Sequence, residues 1–125
     1  MKAGLAKPEQ ELPLSPAVFH IVLALAEGER HGYAIMQDVA ASTGGQVRMG
    51  PGTLYGTLKR MLAAGLVEES SERPDPALDD ERRRYYRLTD FGAKVAEAES
   101  RRLARLVRVA QRRGMAARPR LGRAT

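Results

Sequence analysis

Thr53, Tyr55 and Thr57 alternate along the stretch GPGTLYGTLKRMLAAGLVEES, residues 50–70, and Lys59 and Arg60 follow them directly. Hydroxyls and cations bond phosphate oxygens, and Lys or Arg also reaches the acceptor edge of guanine. A second cationic cluster, Arg82, Arg83 and Arg84, lies further along the chain. The chemistry these residues suit is the binding of a polyanion, with double-stranded DNA the foremost case. Nothing comparable supports bond-breaking. The chain has no cysteine, which excludes a thiolate nucleophile, a thiolate zinc site and a disulfide framework. His20 and His31 are the only histidines. Neither has a second histidine or a carboxylate at ligand spacing, so structural or turn roles are expected and no metal. Asp79, Asp80 and Glu81 form an acidic run with no apolar surroundings to shift a pKa, and they read as a solvated loop. No glycine-rich phosphate loop and no nucleophile–base pair is present. The expectation is a protein that is not an enzyme and needs no cofactor.

A helix must present the first cluster. Leu54, Leu58, Met61 and Leu62 recur at helical spacing, a core-facing stripe on a helix that opens at Gly50-Pro51 and closes near Gly65. At about 100° per residue the opposite direction is taken by Gly52, Gly56, Lys59, Arg60 and Ala63, with Thr53 and Thr57 on one flank and Tyr55 on the other. Tyr55 is divided between packing and DNA contact. A plain solvated face would also carry lysine and arginine. Glycines on such a face, however, cost roughly 1 kcal/mol each against alanine.

Two helices are predicted before this one. LSPAVFHIVLALAEG takes Ser15 as N-cap and Pro16 as its first residue, with Val18, Ile21, Val22 and Leu25 at helical spacing and Gly28 as the stop. HGYAIMQDVAASTGG packs Ile35, Met36 and Val39 and halts at Gly44-Gly45. His31 belongs to the turn before it, and Tyr33 is expected to pack in the core with its hydroxyl toward solvent. QVRM, residues 46–49, is at most a single extended rung. LVEESS and RRRYYRLT pair as a hairpin around the polar tip ERPDPALDDE. Tyr86 and Leu88 share one face of it, Arg83, Tyr85 and Arg87 the other. Thr89 caps a fourth helix running to about Arg113, in which Leu103, Leu106, Val107 and Ala110 form an apolar stripe. A helix projecting past so small a domain cannot bury that stripe alone, which points to a second copy.

The formal charge of +6 invites a nucleic-acid reading. From Arg101 onward, however, there are nine arginines and no acid, leaving 12 basic against 15 acidic groups, a net of −3, in the rest of the chain. The DNA reading therefore stands on local placement. The length of 125 residues fits one domain. The first residues carry no apolar run suited to a signal peptide, and no segment approaches the roughly 20 apolar residues of a membrane span. A cytoplasmic protein is expected.

HGYAIMQDV, PGTLYGTLKRMLAAGLVEE and RRRYYRLTDFG occur in that order and resemble the PadR family of transcriptional regulators over roughly residues 15–92. The resemblance implies a winged helix-turn-helix whose third helix enters the major groove, a C-terminal dimerisation helix, and repression relieved by a small molecule. One long helix after the wing suits the family's small subgroup. The expected fold is mainly α with a two-stranded β wing: a flexible arm (1–14), a winged helix-turn-helix (15–89), a dimerisation helix (90–113) and a basic flexible tail (114–125). The expected function is a sequence-specific regulator acting as a homodimer on a palindromic operator. Its DNA contacts would be Thr53, Tyr55, Thr57, Lys59 and Arg60, with Arg82, Arg83 and Arg84 at the wing base. Its dimer contacts would be Leu103, Leu106, Val107 and Ala110. A small-molecule effector would sit between subunits or where helices 1 and 4 meet. Asp75, Asp79, Asp80 and Glu81 should keep the wing tip off the phosphates. The rival is a winged-helix module that binds another protein and not DNA, favoured by the net −3 and the acidic tip.

Overall fold

Helices start here where a side-chain acceptor or a proline meets the first unpaired amides. The structure, a computed structural model, describes residues 7–70 and 84–117. Ser15 Oγ accepts from the Val18 amide at 3.3 Å, and Pro16 opens α1, Pro16–Ala24. His31 Nδ1 accepts from the Ala34 amide at 3.1 Å and starts α2, Gly32–Ser42. The third helix, α3, Pro51–Ala63, has no side-chain cap. The preset φ of Pro51 serves instead. Thr89 Oγ1 accepts from the Gly92 amide at 2.9 Å at the head of α4, Asp90–Arg112. Gly65, with φ of 77°, closes α3 in the left-handed region and turns the chain straight into a strand.

Three short strands form one antiparallel sheet: β1 Arg30–His31, β2 Val67–Glu69 and β3 Tyr85–Leu88, in the order β1-β3-β2. Val67 lies opposite Leu88 and Glu69 opposite Tyr86. The two-stranded wing expected from the sequence thus gains a third strand, in which Arg30 pairs with Tyr86 and His31 with Tyr85. Its extended backbone is set locally, and its pairing by β3. A residue that caps a helix has extended backbone, and His31 at φ −82° and ψ 165° offers that backbone to the free edge of β3. The His31 ring stands edge-on to Tyr85 at 5.4 Å. QVRM forms no strand.

Ile21, Val22, Ile35, Val39, Leu54, Leu58, Met61, Val67, Tyr86 and Val95 make one core between the helices and the inner face of the sheet. Tyr33 is not part of it. It is 57% exposed at the start of α2, because Ile35 and Val39 take the inward direction of that short helix.

The arm expected to be loose is corrected for residues 7–14. Pro8–Glu11 form a 3-10 turn that packs on α4, and Leu12 and Leu14 rest against the core. The anchor is Glu99, which is 2% exposed. Its carboxylate accepts from the Leu14 amide at 3.0 Å and from Arg102 Nε and Nη2 at 2.6 and 3.0 Å. The bidentate Arg102 bond holds the Glu99 carboxyl below its usual pKa, against the opposing effect of burial. Among the described residues no helix is long and apolar enough to cross a membrane.

Candidate nucleic-acid interface

The inward side of α3 is Leu54, Thr57, Leu58 and Met61, all buried. Leu62, counted with the apolar stripe in the sequence, is only partly buried. The helix is therefore rolled toward Thr57 relative to expectation. Opposite this buried side runs a strip of small residues, Gly52, Gly56 and Ala63, with Lys59 exposed on its wing side and Arg60 exposed on the other. A methyl built on Gly52 would meet no atom within 4 Å, and one on Gly56 only Arg60 Nη1 at 3.9 Å. The chain itself thus leaves the strip open. Between Asp38 and Glu68 there is no acidic residue, while Arg48, Lys59 and Arg60 all fall in that interval. This acid-free run was a readable signal for the basic face, and the total charge obscured it.

The expected contact residues separate on inspection. Thr53 is exposed in the first turn of α3. Thr57 is 1% exposed; its hydroxyl donates to the Thr53 carbonyl at 2.7 Å and accepts from Arg60 Nη2 at 3.2 Å. Its place as a surface contact is corrected, since a hydroxyl sealed under the helix edge cannot reach a phosphate. Tyr55 is partly buried. Its ring and hydroxyl lie so close to Gly32 that any side chain there would collide with them, which ties α3 to the first turn of α2. On its other side Tyr55 lines a groove of about 390 Å³ between α3 and the wing, with Lys59, Glu69 and Arg84 around it. Arg84 is exposed and ion-paired to Glu69 at 3.1 Å, and Arg87 pairs with Glu68 at 2.8 Å. Arg82, Arg83 and the acidic tip from Asp75 to Glu81 lie outside the described residues.

The stripe of α4 continues its buried side beyond the edge of the domain. Val95 and Glu99 are buried near its start, Leu103 and Ala110 are partly buried, and Leu106 and Val107 are 53% and 49% exposed. Leu23 of α1 is another exposed apolar side chain, at 48%. It lines a mostly apolar groove of about 620 Å³ between α1 and α4, with Phe19, Val22, Ala96 and Arg101. Nothing in the sequence marks Glu99 as an anchor, because a glutamate on a polar helix reads as solvated until the arm is seen lying across it.

The arrangement has clear likenesses among known proteins. An uncharacterized 37.1 kDa protein in transposon TN4556 of Streptomyces fradiae is 38% identical over 86 residues, which is 69% of this chain and 22% of that protein. The chain thus spans less than a quarter of that relative's length. Transcriptional regulator Rv3488 of Mycobacterium tuberculosis is 36% identical over 89 residues, 71% of this chain and 77% of the relative. A PadR family transcription regulator from Clostridium difficile has the same fold at a TM-score of 0.63 and 24% identity, over 78% of this chain and 97% of the other. The model of the transcriptional regulator PadR-like family matches residues 21–98, from within α1 through the wing and into α4. On this match, and on three helices feeding a small antiparallel wing, the chain belongs to the PadR-like family of transcriptional regulators.

Proposed function

We propose that the chain is a homodimeric repressor that binds a palindromic operator, with α3 of each protomer in the major groove. The observation that carries this reading is the open strip of Gly52, Gly56 and Ala63 between Lys59 and Arg60. A strip without side-chain bulk admits close approach of base edges, and a cation on each side suits the phosphates and guanines of the groove walls. Thr53, Lys59 and Arg60 are the direct contacts. Tyr55 meets the backbone strand where it passes between α3 and the wing, and Arg84 reaches the same strand by turning from Glu69. Exposed apolar residues on α4, chiefly Leu106 and Val107, supply the second protomer, and two-fold symmetry then matches two half-sites. Repression needs only occupancy of the operator. An effector with an apolar body fits the groove between α1 and α4, where it would bear on the mutual angle of the two reading heads.

The test is a titration of the full chain with mixed-sequence duplex and with a palindrome drawn from upstream of its own coding region, at several salt concentrations. The expected result is tighter binding to the palindrome and affinity that falls steeply with salt, by about one unit of log–log slope for each phosphate neutralised. Binding that ignores salt, or no binding at low salt, would favour the protein-interaction module. The ion pairs that already neutralise Arg84 and Arg87 are the feature that keeps that rival alive.

A further inference from the structure

We infer that Thr57 is a positioning residue that presets the Arg60 guanidinium for reading a guanine in the operator. The inference rests on the regulator reading above and adds to it the residue that sets its specificity. Thr57 sits 1% exposed under the edge of α3, so packing fixes its side chain. Its one hydroxyl proton is committed to the Thr53 carbonyl at 2.7 Å. A hydroxyl whose proton is used can only accept from its other neighbours, and the neighbour is Arg60 Nη2 at 3.2 Å. The polarity of the pair is therefore settled within one turn of helix.

The direction of Arg60 follows. Long side chains on a helix run back toward its N-terminus, and this one does so until Nη1 stands over Gly56, at 3.9 Å from where a methyl would be. The guanidinium is thus held at the margin of the open strip, over the ground a base edge would enter. The bond to Thr57 uses one N–H of Nη2. Its second N–H and one on Nη1 remain to form the donor pair that matches O6 and N7 of guanine. Without the anchor, a flexible arginine would find phosphate and guanine alike. With it, rotamer freedom is surrendered before binding and the fork meets bases in one orientation. Lys59, a point charge on the wing side, has no such fork and suits phosphate.

The experiment selects binding sites for the wild-type chain from a randomised duplex library, then measures affinities for single-base variants of the selected site with wild type, Arg60→Ala, Thr57→Val and Thr57→Ser. Melting temperature and affinity for random-sequence DNA are measured alongside. Wild type should prefer guanine at one position of each half-site by roughly 5- to 150-fold. Arg60→Ala should flatten that position alone. Thr57→Val, which keeps the bulk and loses the acceptor, should flatten the same position with random-sequence affinity unchanged, and Thr57→Ser should restore the preference. Full guanine preference in Thr57→Val, or in Arg60→Ala, overturns the inference. If the valine variant also loses stability and random-sequence binding, the serine variant decides, and a flattened preference with serine overturns it. A folded wild-type chain that binds no duplex at low salt sinks the regulator reading itself, a result distinct from every variant outcome.

Discussion

Burial separates the two threonines of α3, which look alike in sequence. Thr53 is exposed and Thr57 is sealed at 1%, because the helix rolls to bury Met61 fully and leaves Leu62 half out. A stripe read from leucines alone misses that roll by part of a turn. The two cations do not depend on it, since both side chains are exposed. Lys59→Ala with Arg60→Ala should therefore leave the melting temperature nearly unchanged while lowering operator affinity and reducing the salt slope by about 1 per lost phosphate contact. An unaltered slope measured by anisotropy would take α3 out of the interface. Glu99 makes the opposite kind of prediction, on stability and not on binding. Its folded pKa is lowered chiefly by Arg102 beneath an ordinary value of about 4.3. Its contribution is thus complete above the ordinary value and is lost as pH falls through the lowered one. Glu99→Gln should cost about 1–2 kcal/mol at neutral pH, by loss of charge-assisted bonds to a buried group. In chemical denaturation the gap between wild type and variant should narrow as pH falls below the ordinary carboxylate range.

Elements begin and end here for reasons written within four residues, and those were legible. Ser15-Pro16, Gly44-Gly45, Gly50-Pro51, Gly65 and Thr89 each mark the boundary the sequence leads one to expect. What was not legible depends on partners distant in the chain. Arg30 and His31 become a strand only because β3, more than fifty residues later, offers them an edge. The arm packs over residues 7–14 against α4 and the core, and Glu99 receives the Leu14 amide from 85 residues away. Two glycines show how context sets the sign of one substitution. Gly56 lies on the open strip, so Gly56→Ala should stabilise the fold by about 0.5–1 kcal/mol through helix propensity, while the added methyl weakens operator binding. Gly92, in the first turn of α4, is pressed against the Leu66 carbonyl, and any Cβ there would clash with backbone that cannot yield. Gly92→Ala should therefore destabilise by about 1–3 kcal/mol despite the better helix former. Paired thermal melts would expose an error as two shifts of the same sign.

At the scale of the whole molecule, charge and apolar surface are both concentrated on α4. Of the nine arginines from Arg101 onward that give the chain its positive balance, five lie on α4, and Arg101 is ion-paired to Glu97 at 3.8 Å. Leu106 and Val107 stand half exposed on the same helix, beyond the reach of the domain core. The stripe was readable as periodicity. Which of its members are free to meet a partner was not, because the packed arm lies against α4 and accounts for part of its apolar side. That distinction decides the cleanest test of assembly. Leu103 and Ala110 are partly buried within the protomer, so charging them would confound folding with association. Leu106→Glu with Val107→Glu alters side chains that the protomer leaves in water. The variant should melt like wild type as a protomer yet show half the mass by light scattering, since each apolar residue withdrawn from a dimer seam and replaced by a like charge on both copies opposes contact. On a duplex with two half-sites its affinity should fall to that for a single half-site, because the second head no longer gains from the effective concentration supplied by the first. Affinity for a lone half-site should stay as in wild type. A double variant that still runs as a dimer would move the interface away from these two residues, with exposed Leu23 on α1 as the next surface to charge.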